Sequence, residues 1–196
     1  MRPIQMVDLK QQYQSIKSEI DTAISKVIES AAFINGPQVQ SFASSLAQYN
    51  QVTHVIPCAN GTDALQIALM ALDLQPRDEV ITPSFTFIAT TEVVALLNLT
   101  PVFVDIDPKT FCMDPLALEK AITPKTKAIV PVHLYGQAAN MEEIMKIAEA
   151  HNLFVIEDNA QAIGSEIYFS DGSTQKTGSI GTISTTSFFP SKNLGA

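Results

Sequence analysis

From His54 onward, short apolar runs alternate with amphipathic stretches, a rhythm that few folds can satisfy. The expected strands are His54 to Pro57, Glu79 to Thr82, Val102 to Val104, Ala128 to Val132 and Leu153 to Ile156. Between them lie helical patterns over Gly61 to Leu72, Ile88 to Leu97, Pro115 to Ile122 and Met141 to Ala150. In the first of these helices Ala64, Leu65, Ala68, Leu69 and Leu72 are expected to be buried. Strands that alternate with helices are joined by crossovers, so the fold class is α/β: a mostly parallel central sheet covered by helices. In such sheets ligands collect at the carboxyl ends of the strands.

Two segments depart from the rhythm. Before His54 there is no strand signal; Tyr13, Ile16, Ile20, Ile24 and Val27 recur at helical spacing, and Val39, Phe42, Leu46 and Tyr49 mark a second helix after Asn35-Gly36-Pro37. Residues 1–50 are therefore a helical segment and 51–196 the α/β part. After Gln161, Ile163 to Phe169 and the turn Asp171-Gly172-Ser173 read as a β-hairpin or irregular excursion, with a last strand from Thr182 to Phe189.

Composition narrows the function. Of 196 residues 46% are hydrophobic and only 16% charged, against a usual charged share of about 25%, which describes a chain with a large core. Twelve Lys and Arg against 20 Asp and Glu leave a net charge of −8, so a broad basic surface for nucleic acid is not expected. Any bound phosphate must be held locally by backbone amides and helix ends. The start, MRPIQMVDLKQQYQ, shows no signal-peptide pattern, and the longest apolar runs fall far short of a membrane span, so a cytoplasmic location is expected. Cys58 and Cys112 fit no metal or redox spacing and read as reduced, packed thiols, and no metal site is expected.

Neither G-x-G-x-x-G, G-x-x-x-x-G-K-[ST], G-x-S-x-G nor H-E-x-x-H occurs. What remains is a set of strand-end groups. Pro57-Cys58-Ala59-Asn60-Gly61-Thr62-Asp63 leads into a helix, so the amides of Gly61 and Thr62 could face an anion; the plain alternative is a helix capped by Asn60 or Thr62. Leu153-Phe154-Val155-Ile156 runs straight into Glu157-Asp158, and a buried carboxylate there needs a cation or hydrogen bonds. In the alternative, Asp158 caps a turn and Glu157 faces solvent. Lys192 follows an apolar strand, and a lysine in an apolar pocket loses its proton readily, as nucleophilic and Schiff-base lysines do; the plain alternative is a solvated lysine. Phe85, Phe188 and Phe189 read mainly as core, and His133 as a structural histidine.

The blocks Asn60-Gly61-Thr62-Asp63-Ala64-Leu65, Pro83-Ser84-Phe85-Thr86-Phe87, Val132-His133-Leu134-Tyr135-Gly136-Gln137, Glu157-Asp158-Asn159-Ala160-Gln161-Ala162 and Ser187-Phe188-Phe189-Pro190-Ser191-Lys192-Asn193-Leu194-Gly195 resemble the DegT/StrS family. These are sugar aminotransferases dependent on pyridoxal 5'-phosphate, with the aspartate-aminotransferase fold. Val7-Asp8-Leu9-Lys10 and Phe33-Ile34-Asn35-Gly36-Pro37 extend the likeness over essentially the whole chain.

The resemblance implies the large domain of fold type I, and the following roles. Lys192 forms the Schiff base with the cofactor and later moves a proton; Asp158 pairs with the ring nitrogen, which lets the ring act as an electron sink. Gln161 lies beside the phenolic oxygen and Phe87 against the ring face. Gly61 and Thr62 give amides to the phosphate, and Ser187 a hydroxyl. It also implies glutamate (with 2-oxoglutarate as its product) and a nucleotide-linked keto sugar as substrates, in amino-sugar biosynthesis for surface polysaccharide or glycoconjugates. The family's homodimeric state is expected too. The terminal block looks like that of members acting on UDP-linked 3-keto hexuronic acids. Family members continue beyond this point into a small C-terminal domain, so a truncated piece of a longer enzyme is expected. A catalytically silent or regulatory relative, and an aminotransferase for small 2-oxo acids, remain as other readings.

Overall fold

The computed structural model describes residues 7–194. Helix α1, Leu9–Ser30, opens on Asp8, whose carboxylate accepts the Gln11 amide at 3.0 Å, and bends at Ile16, where the backbone leaves helical geometry. Its apolar stripe forms as expected, yet no residue of α1 is buried; Ile24 is 54% exposed. Asn35 turns the chain at φ +49, and Pro37 occupies the first position of α2, Pro37–Asn50, where its missing N–H costs nothing. Leu46 of α2 is buried and Phe42 meets Phe188 edge-on at 5.2 Å.

The α/β part follows as α3 (Gly61–Met70), β1 (Glu79–Pro83), α4 (Ala89–Leu96), β2 (Thr100–Val104), α5 (Pro115–Ala121), β3 (Thr126–Ile129), α6 (Met141–His151), β4 (Phe154–Asp158), β5 (Glu166–Tyr168), β6 (Thr174–Lys176) and β7 (Ile183–Thr185). Five strands form one parallel sheet in the order β2-β1-β3-β4-β7. Successive residues along each strand point to opposite faces, and both faces are apolar here. Ile81, Ile129 and Val155 pack with Leu118 and Ile144 on the side of α5 and α6; Val80, Ala128 and Ile156 pack with Leu65, Leu69 and Val93 on the side of α3 and α4.

Four expectations are corrected. His54 to Pro57 is not a strand: no described strand pairs with it, Ile56 is 82% exposed and Pro57 has no N–H to give a ladder. The strand expected over Ala128 to Val132 ends at Ile129, because Pro131 interrupts it; Val132 keeps one parallel bridge to Asp158. The last strand stops at Thr185 instead of Phe189, since its partner β4 has ended at Asp158. Of the two thiols only Cys112 is buried, and Cys58 is exposed. In α3, Leu65, Ala68 and Leu69 are buried and Ala64 is half-buried; the helix ends at Met70, so Leu72 lies past it and is half-buried.

The excursion after Gln161 is a hairpin: β5 and β6 pair antiparallel about a turn in which Gly172 has φ +85. Its two feet are tied to each other, because the Thr177 amide donates to Ser165 O at 3.0 Å and its hydroxyl to Ala162 O at 2.8 Å. Among the described residues no helix is long and apolar enough to cross a membrane.

Candidate active site

The strand order brings the carboxyl ends of β1, β4 and β7 to one edge of the molecule, with α3 beginning beside them. Asp158 is the last residue of β4 and is 5% exposed. Its backbone is held on both sides, the amide donating to Pro131 O at 2.9 Å and the carbonyl accepting the His133 amide at 3.1 Å. Its carboxylate accepts the Thr90 hydroxyl at 2.8 Å on one oxygen and the Ala160 amide at 3.2 Å on the other. Those donors are neutral, and among the described residues no salt bridge engages this buried acid. Burial pushes its pKa above the ordinary carboxylate value; the Thr90 and Ala160 hydrogen bonds and the electrostatic influence of His133 and Lys192 pull the other way without cancelling it. A carboxylate so placed asks for a cation.

The other expected residues fall as follows. Lys192 is half-buried in a tight turn after Pro190, its amide donating to Phe189 O at 2.7 Å. Gly61 and Thr62 open α3, and Asn60, rather than Thr62, is its cap, accepting the Asp63 amide at 2.9 Å. The first amides of a helix have no partner within it, so those of Gly61 and Thr62 point out of α3 as an anion site would require. Gly61 abuts Ser187: a Cβ at residue 61 would lie 2.8 Å from the Ser187 Cβ and 3.2 Å from its Oγ. That close approach puts the helix end and the serine hydroxyl side by side. Ser187 Oγ accepts the Phe189 amide at 3.3 Å, which leaves its own proton to give. Gln161 accepts the Tyr135 amide on Oε1 at 2.8 Å, so its NH2 is its remaining donor group. Phe87 stands 64% exposed on the loop between β1 and α4.

Phe85 and Phe189 are not core residues. Phe85 is 45% exposed and leans on Phe111 at a centroid distance of 5.9 Å, and Phe189 is likewise exposed. Phe188 is half-buried, its ring edge-on to that of Phe42, and belongs to neither core cluster.

Glu157 does not face solvent. The strand's alternation turns it away from Asp158, and it is fully buried with four donors on its carboxylate. The amides of Ile180 and Gly181 reach one oxygen at 2.7 Å each; Gly178 at 2.8 Å and His133 Nε2 at 2.9 Å reach the other. His133 Nδ1 accepts the Ala139 amide at 3.1 Å, so the ring proton sits on Nε2 and is given to Glu157. Burial acts to raise the Glu157 pKa, but the His133 bond and the Gly181 and Gly178 amides outweigh it and hold the group below the ordinary value. Glu157 therefore ties residues 178–181 to β4 and fixes where β7 starts. Glu157→Gln turns an NH2 toward two donors in either orientation, and is expected to cost about 3–5 kcal/mol in denaturant unfolding. A carboxylate with a lowered folded pKa stabilises above its unfolded value of about 4.3 and loses that contribution as pH falls through the folded value. The gap between wild type and variant is accordingly expected to close in acid.

Sequence reasoning passed over Thr90, which nothing distinguishes from its neighbours, and the burial of Glu157, whose amide partners lie more than 20 residues downstream.

The model of the DegT/DnrJ/EryC1/StrS aminotransferase family matches residues 14–196. The UDP-N-acetyl-3-dehydro-alpha-D-glucosamine 3-aminotransferase of Acidithiobacillus ferrooxidans is 51% identical over 193 residues, which cover 98% of this chain and 51% of that protein. The UDP-2-acetamido-2-deoxy-3-oxo-D-glucuronate aminotransferase of Pseudomonas aeruginosa is 49% identical over 192 residues, covering 98% and 52%. Among solved structures, S. venezuelae DesV in complex with a ketimine intermediate superposes with a TM-score of 0.93 at 39% identity, over 100% of this chain and 51% of that one. Bacillus subtilis NtdA with bound cofactor PMP gives 0.75 at 43% identity, over 76% and 34%. The chain spans about half the length of the curated relatives it matches.

Proposed function

This chain belongs to the DegT/DnrJ/EryC1/StrS aminotransferase family, and from that premise we propose that it binds pyridoxal 5'-phosphate and that the whole protein moves an amino group from glutamate to a nucleotide-linked keto sugar. The observation that carries this is Asp158: a buried acid at a strand tip with neutral donors and a pKa raised by burial, within electrostatic reach of Lys192 and at the same end of the sheet as an open helix N-terminus. The cofactor fits that set. Gly61 and Thr62 would hold its phosphate with their amides, and the missing side chain at Gly61 admits Ser187 to the same group. Asp158 would hold a proton on the ring nitrogen, Gln161 would donate its NH2 to the phenolic oxygen, and Phe87 would cover a ring face and exclude water from it. When bound, the cofactor supplies an electron sink through which an amine can pass from one carbon skeleton to another.

Lys192 has two tasks in this reading. Its amine would hold the resting cofactor and, when free, would take the proton from the glutamate Cα. With the keto sugar it returns a proton to the carbon that receives the amine. The names of the two relatives favour a UDP-linked sugar with a ketone at the third ring carbon as acceptor. The aminated product would serve the building of surface polysaccharide or glycoconjugates. The reading extends to a homodimer in the cytoplasm; apolar side chains left exposed along α1 support the pairing.

The test is to incubate the whole protein with glutamate and a panel of keto nucleotide sugars and to read product masses. An aminated sugar formed together with 2-oxoglutarate is expected. A protein that binds the cofactor yet aminates no sugar, while turning over small 2-oxo acids, would overturn the substrate class.

A further inference from the structure

Thr90 donates its hydroxyl to the Asp158 carboxylate at 2.8 Å, both groups being buried. A hydroxyl has one proton, and an ionised carboxylate can only accept, so that proton is committed. The 3.1 Å contact between the Thr90 and Thr86 hydroxyls must then be filled by Thr86 as donor. The chain of hydroxyls thus runs one way, from Thr86 through Thr90 to Asp158. Thr86 sits on the same loop as Phe87, one residue before it, so the loop expected over one face of the ring also sets the aim of the acid expected at its edge. A second buried hydroxyl pair, Thr82 with Thr91 at 3.3 Å, joins β1 to α4 without touching Asp158.

Resting on the cofactor reading above, we infer that Thr90 is a positioning residue for Asp158: it fixes the direction of the carboxylate and keeps it ionised for the ring nitrogen. The groups around Asp158 leave this role to it. His133, past β3, and Lys192, past β7, both act on the acid electrostatically, without a hydrogen bond to its carboxylate. The His133 ring is turned to Glu157, and Glu157 is turned to residues 178–181. From α4 the charged residue is Glu92, which is exposed, and Asp63 of α3 is bound to the Asn60 cap.

The experiment uses the full chain with pyridoxal 5'-phosphate. Thr90→Val is expected to weaken cofactor binding roughly ten- to a hundredfold, the effect of removing a hydrogen bond to a buried charge. It is also expected to move the pH titration of the bound cofactor's visible band to higher pH. Without the Thr90 donor Asp158 is a stronger base, the shared proton shifts toward it, and the ring loses positive charge. Thr90→Ser restores the hydroxyl and is expected to match wild type in both readouts. Thr91→Val, a change of the same size in the neighbouring pair, is expected to leave the titration where it was. A merely structural Thr90 would lower the melting temperature in the manner of Thr91→Val and leave the titration alone; that result overturns the inference. If Thr90→Val does not fold, Thr86→Val decides, with weaker binding of about two- to fivefold and the same direction of shift expected; a wild-type titration in that variant overturns the relay. A wild-type chain that binds no cofactor overturns the functional reading instead, which keeps the two failures apart.

Discussion

Lys192→Ala in the full chain is expected to lower transamination with glutamate by about 10⁴-fold or more, because one amine is asked to do both the covalent and the proton-transfer work. Its surroundings support that assignment. It lies within electrostatic reach of Asp158, is half shielded from water, and sits on a turn fixed by the hydrogen bond from its own amide to Phe189. The variant should still bind the cofactor reversibly, since the helix N-terminus, Ser187, Gln161 and Asp158 are untouched. Borohydride reduction followed by peptide mass analysis separates the two contributions. Wild type is expected to carry the cofactor on the peptide containing Lys192, and the variant to carry none. A variant that turns over at the wild-type rate, or a wild-type label on a different lysine, would remove Lys192 from the mechanism.

Asp158→Asn is expected to act in opposite directions on stability and on catalysis. An acid whose folded pKa is raised contributes to stability below its unfolded value of about 3.9, and that contribution is lost as pH rises through the folded value. At neutral pH without cofactor, ionised Asp158 is therefore a burden on the fold; the amide removes that charge and keeps the Thr90 bond on its oxygen, at the smaller cost of turning its NH2 toward the Ala160 amide. The cofactor-free variant should melt higher than wild type at pH 7 and lose that advantage in acid. Its activity should fall by about 10²–10³-fold, the usual cost of removing one well-placed electrostatic partner. Adding cofactor should raise the melting temperature of wild type more than that of the variant. Equal melting of the two cofactor-free proteins at pH 7 would mean that the acid is not under strain. Glu157, one residue earlier, has the opposite sign: its donors lower its pKa, so it stabilises the fold at neutral pH.

The parallel sheet was legible because β1, β3 and β4 are short, apolar and separated by helical spacing, and because both of their faces are buried. Asp158 could be singled out from the abrupt change from Ile156 to two acids. The fate of Glu157 could not, since it depends on the amides of residues 178–181 folding back over β4. His54 to Pro57 has strand composition but no described neighbour to pair with, and pairing is a tertiary matter that local sequence does not carry. Phe85 and Phe189 misled for a related reason: an aromatic on a strand-end loop has the same local signature whether it faces a core or an open cleft. The family blocks pointed to Lys192 and Gln161, but only the fold shows that the Gln161 carbonyl is already taken by the Tyr135 amide.

The β5–β6 hairpin is tied at its feet and touches the body at Ser170, whose amide and hydroxyl donate to Glu142 of α6, and at Lys176, which lies over the Tyr49 ring. Because Thr177 closes onto Ala162 and Ser165, and Glu157 grips the backbone immediately afterwards, tension in the tip at Asp171-Gly172 is blocked before it reaches β7. Lengthening such a closed loop costs only about 0.6 kcal/mol for each doubling. The tip can therefore gain residues, or host a grafted tag, while the lysine turn 20 residues downstream keeps its place.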